Sequence, residues 1–502
     1  MSTPRVKLVF TAATKDEIPL DYIKACGWQV VSAKALRSGV LSRLLNDKKQ
    51  TILFVITGVG RDRTIEAASC ICQLLSPLAV VNVGSCGLNG IAEPKDGVVF
   101  IASKTFVDGE WRECMSYPPF TLPKNIKVIK APVETLLRPL YNKSPCIGQV
   151  VDMEAGYQHK IFEAHSIPFC AIKIPTDTCS SSTQYRFQRN ISRVRRTIKG
   201  LLGFLAFSRK DMDISVVIPV HNRHTFVKRA IESVVKQTRR PKEIIVVDDG
   251  SYPPLCNRLS DALKEQVRII RLPENQGVAA SRNAGIKEAS GKWIALLDSD
   301  DEWTRDKLRN QVVYIETNPF FEIVQCQEIW IRNGLRVNMR KHHKKREGWL
   351  WKKSIELCCI SPSAVMATKE LFLDLGLFQE EFPACEDYEF WLRVTRRRPV
   401  GLNPEADLIK YGGHSDQLSC RFPAMDRFRV AALLKALEGE KSPEYRQDLM
   451  VSLKQRLEIL YNGALKRKKI EAANVYQYIL NAIEKGSPVL WNEYPLLLQK
   501  FL

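Results

Sequence analysis

The sequence predicts an α/β protein: two strand–helix domains in series, with a helical segment after them. Three observations predict it. Apolar strands alternate with helical stretches from residue 5 to about 205. A charged break, Ser208-Arg-Lys-Asp-Met-Asp213, interrupts that alternation, which restarts at Ile214 and runs to about 420. From Pro423 to Leu502 the pattern turns helical, and over Leu449–Leu465 and Ala472–Ile483 apolar positions fall three and four apart, the spacing of one helix face. The expected domains are therefore 1–208, 209–425 and 426–502.

Composition agrees with folded domains. A chain of 502 residues suits two or three of them, and 45% hydrophobic residues is a globular value. No stretch approaches the roughly 18 apolar residues of a membrane span. The amino terminus shows no signal-peptide pattern. Fourteen cysteines are scattered through apolar runs without zinc-site spacing, so reduced thiols and a cytoplasmic location are expected. The net charge of +20 suits an anionic partner. Its densest stretch, 332–346, holds Arg336, Arg340, Lys341, Lys344 and Lys345 with two histidines and no acid. That segment is expected to meet RNA or an anionic membrane surface, or simply to be solvated.

In the first domain, Lys7–Phe10, Thr51–Ile56, Ala79–Val83, Gly97–Ala102 and Phe169–Ile174 read as strands buried on both faces. Glu66–Leu75 and Ala155–His165 read as helices. Chemistry-bearing residues sit at the strand ends. Thr57-Gly-Val-Gly60 runs into Arg61, Arg63 and a helix, which suits an anion or a ribose oxygen. Val83-Gly84-Ser-Cys-Gly87 is a second glycine-rich end, Val151-Asp-Met153-Glu154 a third with acids, and Asp177 closes the strand from Phe169.

In the second domain, Ile214–Asn222 reads as a buried strand whose ladder stops at Pro219. Glu243–Ser251 is another, ending in Asp248, Asp249 and a glycine turn. Asn275–Gly285 opens a helix with small residues that let a ligand approach the backbone. Leu296-Leu-Asp298-Ser-Asp300-Asp301 brings three carboxylates to the same sheet edge, where ligands of open α/β sheets gather. Acids packed this tightly repel one another unless a divalent cation offsets the charge, and a hard cation with open positions suits a diphosphate. Taken singly these features are ordinary: an Asp-Asp-Gly-Ser turn, a solvated Asp-x-Asp, a Glu386-Asp387 helix cap. Their order, each at a strand end, sets them apart.

From 214 to about 420 the chain resembles the family 2 glycosyltransferases. The resemblance rests on Pro219-Val-His-Asn222, Val247-Asp-Asp-Gly-Ser251, Asn275-x-Gly-x-x-x-x-Arg282-Asn283, Leu297-Asp-Ser-Asp-Asp301 and Cys385-Glu-Asp-Tyr-Glu-Phe-Trp-Leu-Arg393, in that order. It implies a GT-A fold and inverting transfer from a nucleotide-sugar donor to an unnamed acceptor. Asp248 and Asp249 would contact the base and ribose of the donor, with Pro219 and Arg282 as further substrate-binding positions. Asp298 and Asp300 would hold Mg²⁺ or Mn²⁺. Asp387 would be the general base with Glu386 beside it, and His414 a further metal or phosphate contact.

Residues 5 to 200 resemble the nucleoside phosphorylases and 5′-methylthioadenosine/S-adenosylhomocysteine nucleosidases, most specifically through Val151-Asp-Met-Glu-Ala155. This implies an α/β/α domain that cleaves the N-glycosidic bond of a purine nucleoside. Glu154 would bind the ribose hydroxyls with Met153 against the sugar and Gly84 nearby. Asp177 would protonate the leaving base, and Glu17 would orient the attacking water. The match has departures. Lys15 stands where the family usually has an acid, the 84–88 loop lacks an adjacent glycine pair, and 103–145 shows no base-stacking motif. Arg61 and Arg63 would favour phosphate as nucleophile. The expected whole is a bifunctional fusion whose helical end packs on the transferase or forms an oligomer contact. One alternative is a transferase with an inactive nucleosidase-like domain; another is an RNA- or surface-binding module with vestigial sites.

Overall fold

The computed structural model describes residues 7–14, 16–25, 29–32, 41–46, 49–75, 77–88, 98–115, 118–120, 122, 126–136, 150–177, 183–202, 212–339, 341–413, 422 and 424–485. The chain divides into two compact units, residues 1–208 with 316–320, and 209–315 with 321–502.

The first unit is built on one ten-stranded sheet. Its strands are β1 (Leu8–Ala12), β2 (Gln29–Ser32), β3 (Leu41–Asn46), β4 (Lys49–Ile56), β5 (Ala79–Leu88), β6 (Val98–Val107), β7 (Glu110–Glu113), β8 (Lys127–Thr135), β9 (Val150–Asp152) and β10 (Phe169–Asp177). The order is β10-β6-β8-β9-β5-β1-β4-β3-β2, β7 pairs with β6, and β10 also pairs with β5, so five strands close into a ring. The buried pairs β1–β4, β1–β5 and β5–β10 are parallel, as the continuous apolar runs predict. Helices Arg61–Leu74 and Ala155–Ala164 cover the sheet, and Ala68, Ile71 and Phe162 join Val9, Val80 and Ala171 in one core. Two expectations change. The helix read at Glu66–Leu75 begins at Arg61, five residues earlier, because the glycine turn at Gly58 and Gly60 delivers the chain straight into it. The strand read at Gly97–Ala102 runs instead from Val98 to Val107, and β7 and β8 follow it within 103–145. Charged residues such as Lys127 and Lys130 on the exposed half of β8 hid its apolar end, Ala131–Thr135.

The second unit has a nine-stranded sheet: β11 (Ile214–Val220), β12 (Glu243–Asp249), β13 (Arg268–Leu272), β14 (Trp293–Leu296), β15 (Glu302–Trp303), β16 (Ile323–Arg332), β17 (Leu335–Val337), β18 (Met366–Thr368) and β19 (Gly401–Gly412). β13, β12, β11 and β14 are mutually parallel, so their carboxyl ends share one edge. Pro219 does not stop its strand: β11 continues to Val220, and Pro219 stays in register with Val247. The missing N–H costs little, because it points toward β14, whose pairing with β11 has already ended at Val217–Leu296. The helix Val278–Glu288 packs so closely on β11 that a Cβ at Gly285 would lie 2.4 Å from Val217. Beyond the sheet, helices Asp426–Gly439, Pro443–Lys466 and Ile470–Glu484 share a core with Tyr388 and Leu392 of helix Glu386–Arg397. The helical segment therefore packs on the helix that follows Glu386 and belongs to the second unit. Among the described residues no helix is long and apolar enough to cross a membrane.

Candidate active sites

The carboxyl edge of the second sheet collects every acid singled out there, and the centre of the arrangement is Arg282. Its guanidinium is almost wholly buried, with side-chain exposure of 4%; one nitrogen donates to Asp298 Oδ1 at 2.7 Å and another to Glu386 Oε1 at 2.6 Å. It joins the Asp-x-Asp turn to the Glu-Asp helix, so the structure gives it a bridging position. Asn283 beside it exchanges two hydrogen bonds with the Phe378 backbone, fixing the loop that leads to Glu386.

The three acids after β14 differ from one another. Burial alone would raise the Asp298 carboxyl, but Arg282, then Lys410 and Arg223, hold it below the usual range. Asp300 pairs with Arg223 at 2.8 Å. Asp301 turns away: Ser363 Oγ donates to it at 2.6 Å and the Tyr411 N–H at 3.2 Å, and burial followed by the charge of Asp300 raises it well above the carboxylate range. The mutual repulsion read from the sequence is thus offset in part by Arg282, Arg223 and Lys410.

Among the described residues no group of three or more His, Cys, Asp or Glu side chains is placed to hold a metal ion. Asp298 and Asp300 are two half-exposed to sparingly exposed carboxylates in one patch, since the Arg223 that pairs with Asp300 also acts on Asp298. Two carboxylates with room for substrate phosphates is the donor set Mg²⁺ commonly uses, in place of a full protein cage. The residues fit a cation completed by a diphosphate.

Asp387 occupies the first turn of helix Glu386–Arg397, where carboxylates are favoured by the helix dipole. Cys385, before it, is held at φ 62°, a left-handed conformation that side-chain-bearing residues adopt only when the surroundings impose it. Asp387 is half-buried; its Oδ1 accepts the Tyr388 N–H at 2.7 Å and its Oδ2 the Cys358 thiol at 3.3 Å. Burial pushes the Glu386 carboxyl up to about 7, against the pull of Arg282 and with a smaller push from Asp387.

Asp248 and Asp249 are buried, and both oxygens of each are engaged inside the fold. Asp248 accepts the Ser251 and Leu255 N–H groups, both at 3.0 Å, and Arg271 at 2.5 Å. Asp249 accepts the Gln276 N–H at 2.7 Å and the Gly277 N–H at 3.0 Å, at the start of helix Val278–Glu288. They shape two loops at the sheet edge. His414, Arg340 and Lys15 lie outside the described residues. Sequence reasoning missed Arg223, Ser363, Lys410 and Cys358. Arg223 stands directly after His221-Asn222 and could have been found there; nothing in local spacing marks the other three.

In the first unit, β5 and β10 run side by side with Lys173 level with Gly84 and Asp177 level with Gly87. Lys173 is fully buried and pairs with Asp152 at 2.6 Å. Asp152 also accepts Thr135 Oγ1 at 2.6 Å and the Ala155 N–H at 2.8 Å. Glu17 is buried over Gly84, where an added Cβ would come within 3.1 Å of Oε1; it accepts the Ser85 N–H at 2.9 Å, Ser85 Oγ at 2.8 Å and the Thr14 N–H at 3.1 Å. Glu154 is buried beside half-buried Met153, whose N–H supports its carboxylate. Burial first, then Asp152, raise Glu154 to about 8 despite Lys173, and Glu17 adds a smaller push. Glu17, Gly84, Met153 and Glu154 therefore gather in one place. The backbone of Asp177 ends the strand beside them, and its side chain lies outside the described residues. Arg61 and Arg63 are exposed at the start of their helix, and Arg61 lies over the Tyr157 ring.

Residues 215–372 match the family model described as glycosyl transferase family 2. An uncharacterized glycosyltransferase of Rickettsia felis is 35% identical over 206 residues, 40% of this chain and 34% of that protein, so the chain spans about a third of that relative's length. YwdF of Bacillus subtilis, an uncharacterized glycosyltransferase, is 31% identical over 215 residues, 39% of this chain and 74% of that protein. Among solved structures, Staphylococcus aureus TarS 1–349 in complex with UDP gives a TM-score of 0.39 at 20% identity, covering 49% of this chain and 71% of that one. The 5′-methylthioadenosine/S-adenosylhomocysteine nucleosidase of Helicobacter pylori gives 0.34 at 13% identity, covering 40% of this chain and 97% of that one. On its matched residues and on the extent of the Bacillus subtilis relative that it covers, the chain belongs to the family 2 glycosyltransferases.

Proposed function

We propose that the second unit moves a sugar from a nucleotide-sugar donor to an acceptor hydroxyl with inversion. The observation that carries this reading is the Arg282 bridge, which ties the Asp298 turn to the helix bearing Asp387. Asp298 and Asp300 would hold Mg²⁺ or Mn²⁺ on the diphosphate, and the cation would offset charge on the departing nucleoside diphosphate. Asp387 takes the proton of the acceptor hydroxyl as that oxygen attacks the anomeric carbon from the face opposite the diphosphate. The new glycosidic bond forms as the sugar–phosphate bond breaks, and nucleoside diphosphate leaves with the bonding pair. Asp248 and Asp249 serve the donor through the loops they hold. Pro219 lies near the end of β11 below those loops, one residue before the strand ends at Val220.

The test is release of nucleoside diphosphate from a panel of nucleotide sugars, with and without Mn²⁺, by the purified chain and its Asp300→Asn variant. Turnover should need metal and fall by roughly 10²–10³-fold in the variant. Normal turnover of the variant with metal present would remove Asp300 from the cation site.

A second reading concerns the first unit, and the gathering of Glu17, Gly84, Met153 and Glu154 favours it. The unit would cleave a purine nucleoside: Glu154 on the ribose hydroxyls, Glu17 orienting water, Asp177 protonating the leaving base. Free base should appear when the full chain meets a purine nucleoside panel, and Asp177→Asn should abolish it. Stimulation by phosphate would favour phosphorolysis through Arg61 and Arg63. No base release under either condition would leave this unit a scaffold or sensor.

A further inference from the structure

The described residues of the basic segment, 332–339 and 341–346, begin with a hairpin turn. Asn333-Gly334 is a two-residue turn with φ 50° and 77°, both positive, so β16 and β17 close into a tight hairpin. The run is not uniformly solvated. Lys345 turns inward, buried, to pair with Glu328 at 2.8 Å, and Glu328 is held at about 2 by Lys345 once burial is overcome. Arg332, Arg336, Lys344 and Arg346 stay exposed and make no ion pair among the described residues. Between the two hairpin arginines Leu335 is 73% exposed.

The hairpin grows from the edge of the transfer site. Trp330, Ile331 and Arg332 pair with Lys410, Tyr411 and Gly412 of β19, and the Tyr411 N–H reaches Asp301. The turn is seated: the Asn333 N–H donates to the Gly412 carbonyl at 3.3 Å, and a Cβ at Gly413 would lie 2.4 Å from Asn333 Oδ1.

We propose that this hairpin, with Lys344 and Arg346, is a docking surface for an anionic phospholipid layer. Guanidinium groups meet phosphate oxygens with paired hydrogen bonds. An exposed leucine between them gains nothing from a nucleic-acid backbone but enters the boundary between headgroups and acyl chains. Docked this way, the chain would hold the Asp301 edge of the transfer site near an acceptor carried on the same layer. That use rests on the transferase reading; the surface itself does not.

The test is co-sedimentation of the full chain with vesicles of phosphatidylcholine alone or mixed with phosphatidylglycerol. Binding should require phosphatidylglycerol and weaken with salt. Removing two cations in Arg332→Gln/Arg336→Gln should lower the partition coefficient roughly 30-fold, and Leu335→Asp should lower it further. All three changes are on exposed side chains, so circular dichroism and nucleoside diphosphate binding should stay native. Equal binding by the double variant, no binding to anionic vesicles, or binding only to single-stranded RNA would each overturn the proposal. Vesicle binding with no transferase activity would contradict the transferase reading and leave the docking surface standing.

Discussion

Each unit buries a cation among acids at a sheet edge, Lys173 in the first and Arg282 in the second, and the two meet those acids differently. In the first unit Lys173 pairs, among the described residues, with Asp152, and Glu154 next to it is raised to about 8. In the second, Arg282 reaches Asp298 and Glu386 at once and holds Asp298 below its usual range. An ammonium is a point charge, whereas a guanidinium is a planar fork that can serve two carboxylates in fixed directions. Burial raises the acid beside each cation, Glu154 to about 8 and Glu386 to about 7, against the pull of Lys173 and of Arg282. What differs is Asp298, which the fork holds below its usual range, the state that the proposed cation would need.

Breaking the fork should have the largest effect. Arg282→Met leaves Glu386 and Asp298 without their shared partner, and removing one member of a buried pair costs about 3–5 kcal/mol. A thermal melt should show the loss, with transfer abolished. Arg282→Lys sharpens the comparison by making the second site resemble the first. It should recover part of the stability but not the activity, because one ammonium cannot hold both acids in the same geometry.

A smaller effect depends on pH. The folded-state Glu154 sits near 8 against an ordinary 4.5, so the folded chain binds more protons between those values. Its contribution is harmless below about 4.5 and increasingly unfavourable as pH rises toward about 8. Glu154→Gln should therefore gain stability relative to the native chain as pH rises through that window, measured by melting temperature against pH. A difference that stays flat with pH would mean Glu154 is ionised throughout.

What the sequence made legible follows from its physics. Apolar runs ending in acids or glycine located β11, β12, β14, β5 and β10, and with them Asp248, Asp249, Asp298, Gly84 and Asp177. Contacts between distant segments left no local trace. Arg282 and Glu386 stand 104 residues apart, so a residue expected to touch substrate could not be seen as a bridge. Lys345 looked like its exposed neighbours because its partner Glu328 lies 17 residues back on β16. The spent oxygens of Asp248 were hidden in the same way, since Arg271 arrives from β13.

The central claim is that the fork joins a donor site to a separate base, and Asp387→Asn tests it most directly. Nucleoside diphosphate binding by calorimetry with Mn²⁺ should be unchanged, while transfer to acceptor falls about 10²–10⁴-fold, the usual cost of losing a general base. Normal transfer would show that Asp387 is not the base. Loss of nucleoside diphosphate binding would place it in the donor site and contradict the division between donor and base that Arg282 spans.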